Sequence, residues 1–358
     1  MTIPALARNS TRKFTLLSVT TRPAVLDHHV NPLAGPVPVL AAATLWGTTG
    51  TAASFAPSAA PAAAIGAAGL VLGGSLLFLT DLRPILRTGG PRGRALPRRE
   101  WPLLLLGAVT VAGYPLSFYP AVARSGVAVA TVITLGSAPV FAGLLAWLLQ
   151  GARPARRWTV GTVAAIAGCA VLVLGPELTG GGAGMDVLGV ALALVAGLSY
   201  AAYTMVGGNL IARGHPSGAV MGTMFGTAGL LVLPVVFAGG PSWLLSARGA
   251  AVAVYLALVP TYAAYRLFGY GLRHTTATTA TVLSLAEAAV AALLGVVLLG
   301  ERLPALSWAG LAVLTAGLAF LTLPARSRML PARSRTFPAR SRMRFDRSRP
   351  AEGRRPAS

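Results

Sequence analysis

Residues 281–303 read TVLSLAEAAVAALLGVVLLGERL. Between residues 276 and 299 the only charged side chain is that of Glu287. A segment of this length can cross a hydrocarbon core about 30 Å thick. It must be helical, because its backbone polar groups have no water to bind in lipid. The stretch therefore predicts a transmembrane helix with a carboxylate near its middle.

The chain contains nine more apolar stretches of this kind. Together the ten stretches lie at residues 37–57, 61–80, 101–122, 126–149, 158–176, 187–211, 217–239, 249–272, 276–299 and 305–323. They predict an all-α integral membrane protein with ten transmembrane helices. The composition agrees, since 54% of the residues are hydrophobic and only 11% are charged, which is far from the average of soluble domains.

The basic residues fall on one side of this arrangement. With the N-terminus inside, 26 of the 30 Lys and Arg residues lie on the same side, three lie on the other, and Arg266 lies within a span. Cytoplasmic loops attract Lys and Arg. We therefore expect a multi-pass protein of the cell membrane with both termini in the cytoplasm, preceded by a flexible cytoplasmic segment at residues 1–36.

Residues 324–358 form an Arg-rich tail in which PARSR recurs with a period of seven. Proline opens most of the repeats and apolar positions are few, which argues against a coiled coil. We expect a disordered cytoplasmic tail that either lies against anionic membrane lipid or has no role of its own.

The two halves of the chain resemble each other. A shift of 149 residues superposes several Arg and Gly positions, among them Arg124–Arg273, Gly161–Gly310 and Gly168–Gly317. The repeats would occupy residues 37–176 and 187–323, with five spans each. Because five is odd, the second repeat would enter the membrane in the opposite sense, a plan common in secondary transporters.

Several function classes are disfavoured by the sequence. The net charge of +21 lies in loops and tails, and no nucleic-acid recognition module accompanies it. The single cysteine, Cys169, cannot form an intramolecular disulfide or a Cys-ligated metal site with other cysteines. No nucleotide-binding loop of the G-x-x-x-x-G-K-[ST] type is present. We expect no cofactor, no metal and no nucleic-acid partner.

Glu287 is the first candidate for a functional residue, because an acid near mid-membrane is costly and marks a substrate or proton pathway by default. The alternative is a protonated or paired Glu that only holds helices together. Arg266 is the only base inside a span, about one turn from the depth of Glu287, with Tyr262 at that depth. Arg266 could therefore pair with Glu287, or it could extend to the inner interface.

Prolines and aromatic residues suggest where a cavity would form. Pro115 and Pro120 fall in the third span and Pro260 in the equivalent eighth span, so both spans are expected to be bent or broken. Pro139 interrupts the fourth span. Aromatic residues are concentrated on the same candidate helices: Trp46, Tyr114, Phe118, Tyr119, Tyr200, Tyr203, Tyr262 and Tyr265.

Several short motifs, taken together, resemble the drug/metabolite transporter superfamily, EamA type, over residues 37–323. They are Trp46-Gly47, Ala138-Pro139-Val140, the SYAAYT run at 199–204, Leu285-Ala286-Glu287 and the GERL run at 300–303. The resemblance implies a ten-helix carrier that moves small metabolites or drugs, typically outward and often coupled to protons. The family usually has a proline directly after this Glu, and here Ala288 stands instead, so we expect the ninth span to be straighter.

We therefore expect a secondary active transporter that exports a small-molecule substrate by alternating access, and not an enzyme. The candidate pathway residues are Glu287, Arg266, Tyr262, Trp46, Tyr114, Tyr119, Tyr200, Tyr203 and Pro139. An integral membrane enzyme or receptor without transport activity is the alternative. We expect membrane lipids as partners. A homodimer is one of the oligomeric states that the sequence allows. The sequence does not identify the substrate.

Overall fold

The computed structural model describes residues 33–58, 60–88, 97–180, 186–300 and 302–323, and every regular element within these ranges is helical. The helices are α1 (Pro36–Gly47), α2 (Thr49–Ser54), α3 (Ala62–Thr88), α4 (Trp101–Gln150), α5 (Arg156–Gly180), α6 (Val187–Ala212), α7 (Ser217–Ala238), α8 (Ala247–Leu256), α9 (Ala264–Gly271), α10 (Ala277–Leu283), α11 (Ala286–Leu299) and α12 (Ala305–Thr322). The expectations for the N-terminal segment and the Arg-rich tail fall almost entirely outside the described residues.

Eight helical segments of the described chain are long and apolar enough to cross a membrane. Two of the predicted stretches account for the difference from ten. The stretch 37–57 is divided at Thr48 into α1 and α2, and neither part is long enough to cross alone. The stretches 101–122 and 126–149 lie in one element, α4, that consists of two helices joined across a kink at Gly126, next to the predicted boundary between the third and fourth spans. Gly126 has φ 78° and ψ 161°, a conformation that side chains disfavour and glycine allows.

The prolines act differently in the two spans that were expected to bend. The helix α4 continues through Pro115 and Pro120, so the third span is not broken at these residues. Membrane helices tolerate proline where neighbouring groups satisfy the freed carbonyls. In the eighth span the prediction is confirmed, because α8 and α9 are joined by a π-helical segment, Ala257–Ala263, that contains Pro260.

The ninth span is divided into α10 and α11 by a tight turn at Ser284 and Leu285, whose backbone remains in the right-handed helical region. Hydrogen bonds to the third preceding residue replace the α-helical bonds to the fourth. The backbone N–H of Leu285 donates to Val282 O, and that of Glu287 donates to Ser284 O. The Ser284 hydroxyl also donates to Thr281 O at 2.8 Å. Serine and its local carbonyl bonds can interrupt a helix without proline.

Glycines bring the helices together at two long interfaces, α5 with α12 and α3 with α7. A Cβ placed on Gly168 of α5 would lie 2.7 Å from Leu314 Cα of α12. At the other interface, a Cβ on Gly222 of α7 would lie 2.9 Å from Leu77 O of α3. Small residues allow such backbone contact, which is the main way that membrane helices associate.

Ion pairs connect the part of α4 that precedes Gly126 to both ends of α6. Arg213 Nη1 lies 2.8 Å from Glu100 Oε2 beside the start of α4, and this pair is largely buried. Arg124 Nε lies 3.1 Å from Asp186 Oδ2 at the other end. Asp186 also begins α6, because its carboxylate accepts hydrogen bonds from the backbone N–H groups of Leu188 and Gly189.

Candidate functional site

The site begins with a bond between α1 and the irregular eighth span. The indole N–H of Trp46 donates to the carbonyl of Pro260 at 2.9 Å, and this contact is buried. A π-helical segment displaces backbone carbonyls from their regular partners. Trp46 therefore satisfies a backbone carbonyl of the π-helical segment and links the first span directly to the eighth.

Aromatic rings from five helices contact one another around Trp46. We call the following residues the aromatic cluster: Trp46, Tyr114, Phe118, Tyr200, Tyr203, Phe225, Tyr265 and Phe268. The ring of Trp46 lies 5.0 Å from that of Tyr265 and 6.5 Å from that of Tyr200, measured between centroids. These separations are typical of favourable aromatic pairs, so the cluster is continuous and joins residues from both halves of the chain.

Glu287 lies beside this cluster, in the first turn of α11. Tyr114, Tyr200 and Tyr265 all lie within electrostatic range of its carboxylate. Gly47 of α1 packs directly on its backbone, since a Cβ there would lie 2.9 Å from Glu287 O. The Glu287 side chain is mostly buried within the helix bundle but keeps some exposed surface.

The break in the ninth span changes the electrostatics at Glu287. A helix N-terminus carries a partial positive charge that favours a carboxylate in its first turn. Because α11 begins at Ala286, Glu287 is placed at that end instead of in the middle of a continuous helix. Burial opposes ionisation, and the N–H groups of Glu287 and Ala288 already donate to Ser284 O and Leu285 O, so the helix end offsets only part of the cost of an ionised carboxylate.

The hydroxyl groups of the cluster differ in their hydrogen bonding. The Tyr203 and Tyr265 hydroxyls lie 3.2 Å apart and bond to each other. The Tyr200 hydroxyl lies near Ser284 but forms no hydrogen bond of good geometry with any described residue, and the same is true of the Thr204 hydroxyl one turn further along α6. Buried hydroxyls are normally paired, so these two hydroxyl groups can still form a hydrogen bond with a ligand.

Arg266 does not pair with Glu287. Its guanidinium lies 3.5 Å from the carboxylate of Asp81 and stacks over the ring of Tyr262, with 5.6 Å from Cζ to the ring centroid. The predicted spans ended α3 at residue 80, but α3 continues to Thr88, so Asp81 lies on the helix beside Arg266. The hypothesis of a pair between Arg266 and Glu287 is therefore wrong for this structure, and Tyr262 accompanies Arg266.

Tyr119 and Pro139 lie apart from the aromatic rings around Glu287. Tyr119 contacts the edge of the cluster through Phe118, and its hydroxyl lies against Gly66. It lines a cavity of about 300 Å³ between α2, α3 and α8, together with Thr49. Pro139 is buried within the second part of α4. The structure thus brings Glu287, Trp46, Tyr114, Tyr200 and Tyr203 together, leaves Tyr119 at the edge of the cluster, and directs Arg266 towards Asp81 instead.

The sequence profile of the EamA-like transporter family matches residues 33–174 and 187–323 of this chain. The chain belongs to the EamA-like transporter family. A relative from Bacillus subtilis (strain 168), described as the uncharacterized transporter YwfM, is 39% identical over 276 residues, which cover 77% of this chain and 89% of the relative. A solved crystal structure with 22% sequence identity superposes with a TM-score of 0.64 over 80% of this chain and 97% of its own, which shows a shared fold.

Membership of the EamA-like family, together with the apolar helices, makes this chain a multi-pass membrane transporter. The site in this EamA-like protein includes residues that the sequence did not reveal. Phe225 and Phe268 complete the aromatic cluster, and Ser284 forms the break before Glu287. Phe268 follows Tyr265 at helical spacing, which is a signal that could have been used. Nothing in the apolar sequence of α7 distinguishes Phe225.

Within the described ranges, no group of three or more His, Cys, Asp and Glu side chains could hold a metal ion. The polar chemistry of the site therefore consists of one carboxylate, tyrosine and serine hydroxyls, and one indole N–H. Such a set can bind and release a proton and can hold a small molecule against aromatic rings.

Proposed function

We propose that this EamA-like protein is a secondary active transporter that exports a small metabolite or drug across the cell membrane in exchange for protons. Glu287 would bind the proton and the substrate in turn, as the protein exposes it to one side of the membrane and then to the other. The outward direction is taken from the family resemblance.

The position of Glu287 carries this proposal. The mostly buried carboxylate lies beside the aromatic cluster, where α1, α9 and α11 meet. It forms no ion pair with any residue that the structure describes, because Arg266 pairs with Asp81. An intramembrane acid without a fixed counter-ion is available for proton exchange. Breaks in the eighth and ninth spans beside it provide the irregular backbone that transporter sites use.

Inverted repeats would provide the alternating motion, and the helix interfaces support them. In α5 and α12, the glycine contact Gly168–Leu314 has a counterpart in Gly317–Ala165. Each residue of α5 is equivalent to the residue of α12 whose number is larger by 149. Replacing both residues of one contact by their equivalents therefore gives the other contact. A pseudo-two-fold axis between two equivalent helices produces such reciprocal pairs.

The α3–α7 interface has the same property. The contact Gly74–Phe225 has its counterpart in Leu77–Gly222, related by a shift of 148 residues. These two interfaces, each between equivalent helices, support two repeats of five spans and hence ten crossings. In this assignment α1 and α2 together form the first span, and α4 is divided at Gly126 into the third and fourth spans.

The proposed topology has both termini in the cytoplasm, and it is supported by the distribution of basic residues. Cysteines introduced at positions 58, 180 and 243 should react with an impermeant reagent added outside intact cells, after Cys169 is replaced by Ala. Cysteines at positions 90 and 335 should react only after the membrane is permeabilised. Reaction of position 90 from outside would refute the topology.

Transport in proteoliposomes tests the role of Glu287. Small metabolites are screened with and without a pH gradient, and Glu287→Gln is then assayed with each solute that the wild-type protein carries. We expect transport driven by the gradient to fall to the level of empty vesicles, because the amide keeps the size of the side chain but cannot titrate. Asp186→Asn serves as the control acid outside the spans. Normal gradient-driven transport by Glu287→Gln, at equal insertion, would show that Glu287 is structural.

A further inference from the structure

The charge around Glu287 indicates what kind of ligand the site could hold. No described Lys, Arg or His forms an ion pair with this carboxylate, and the one base within a predicted span, Arg266, is occupied by Asp81. The positive end of α11 is already occupied by Glu287 itself. An anionic ligand would therefore meet a negative charge without a compensating cation, whereas a cationic ligand would supply the missing counter-ion.

The surrounding rings favour a cation as well. Tyr114, Tyr200 and Tyr265 lie within electrostatic range of the carboxylate, and the Trp46 ring contacts two of them. The faces of aromatic rings carry a negative quadrupole and attract cations. The attraction is greatest where water is excluded, and Tyr200 and Trp46 are both buried.

The unpaired hydroxyls distinguish between kinds of cation. The side chain of Tyr200 is 4% exposed, and its hydroxyl forms no hydrogen bond of good geometry with a described residue. It lies next to Ser284, at the break that precedes Glu287. A hydroxyl oxygen can accept an N–H bond. A protonated amine could therefore donate one N–H to Glu287 and another to Tyr200, whereas a quaternary ammonium has no N–H to donate.

We propose that Glu287, Tyr200 and the rings of Trp46, Tyr114 and Tyr265 together bind a small protonated amine with at least two N–H donors. The proposal rests on the transport function above and specifies its substrate class. Proton binding to Glu287 would remove the counter-charge and release the amine, which links proton uptake to substrate release.

Three small aromatic probes of similar size test the charge requirement. Benzylammonium is the cation, benzyl alcohol is the neutral analogue and benzoate is the anion. Binding is measured by the tryptophan fluorescence of the purified protein in lipid nanodiscs at about pH 8, where a simple alkylamine remains protonated. We expect benzylammonium to bind at least about tenfold more tightly than either analogue, and we expect Glu287→Gln to lower its affinity by a similar factor.

Phenyltrimethylammonium tests the N–H requirement, because it has the same charge without a donor. Tyr200→Phe should weaken benzylammonium about three- to tenfold, the usual range for one hydrogen bond, and should change phenyltrimethylammonium by less than about twofold, since the ring is retained. Tyr270→Phe is the matched control, because Tyr270 is exposed and contacts His274 and Arg273 instead of the cluster. It should leave the affinity of both cations unchanged.

The outcomes separate this proposal from the transport function. Equal binding of benzoate or benzyl alcohol, or an equal effect of Tyr200→Phe on both cations, would overturn the substrate class, whatever the effect of Glu287→Gln on gradient-driven transport. Selective amine binding that depends on Glu287 and Tyr200 would support the class. If gradient-driven transport by Glu287→Gln were normal in that case, the coupling role would be wrong and the binding site would remain.

Discussion

Replacement of Gly168 by alanine tests whether the α5–α12 interface is held by backbone contact. A Cβ at this position would lie 2.7 Å from Leu314 Cα and 2.8 Å from Gly310 O. Carbon atoms are in favourable contact at about 3.5–4.0 Å. The opposing atoms belong to the backbone of α12, so no side chain can rotate away, and the two helices must separate locally by about 1 Å.

The cost of this separation can be bounded. A gap of up to 1 Å removes a quarter to a half of the dispersion energy of the atoms concerned, and overpacking of a closely packed core costs about 1–3 kcal/mol. Alanine has a better helix propensity than glycine by about 1 kcal/mol, which offsets part of the loss. We expect Gly168→Ala to lower the free energy of unfolding by up to about 2 kcal/mol.

Gly208→Ala in α6 is the matched control. A Cβ there would lie 3.6 Å from Ala277 Cβ and 3.9 Å from Leu272 Cδ2, which is ordinary contact. The same chemical change should therefore be neutral or stabilising by up to about 1 kcal/mol. Unfolding in mixed micelles with increasing SDS measures both variants against the wild type. Equal stability of Gly168→Ala and Gly208→Ala would refute the argument from backbone contact.

A double variant sharpens the test. A Cβ on Gly310 would lie 2.8 Å from both Gly168 O and Leu172 Cα, so it forces apart the same two helices. One displacement relieves both clashes, and the double variant Gly168→Ala, Gly310→Ala should therefore cost less than the sum of the single variants. Strict additivity would indicate that the two clashes are relieved independently and that the helices are not displaced as units.

Much of the helical layout could be predicted from hydrophobicity. The predicted stretches 187–211, 217–239 and 305–323 correspond within one residue at each end to α6, α7 and α12. These helices end where the apolar run ends, because lipid excludes unpaired backbone. Breaks inside an apolar run were harder to predict. Pro115 leaves α4 helical, whereas Ser284 interrupts the ninth span through local hydrogen bonds.

The site could be predicted in part. The cost of burying an acid identified Glu287, and the aromatic composition identified Trp46 and Tyr200, which the structure brings close to it. The partner of Arg266 could not be predicted from depth along one helical hairpin, because depth does not give the direction in which a side chain points. Asp81 became its partner through the packing of α3 against the eighth span, which is a long-range property of the fold.

Two further predictions concern single polar contacts. Trp46→Phe keeps a ring in the cluster but leaves the Pro260 carbonyl without its buried donor, so it should destabilise the protein by about 1–2 kcal/mol. The exposed Trp308→Phe is its control, and equal unfolding midpoints for the two variants would contradict the prediction. At Asp186, hydrogen bonds from the Gly189 backbone N–H and then from Leu188, together with Arg124, hold the pKa below its ordinary value of 3.8. The ionised form is therefore favoured in the folded state, and its contribution to stability is complete above that ordinary value and is lost as the pH falls through the lower folded pKa. The Asp186→Asn variant retains a capping oxygen but does not titrate. Between about pH 6 and about pH 3 it should therefore lose less stability than the wild-type protein. An equal loss in both proteins would show that the carboxylate charge is not what holds the start of α6.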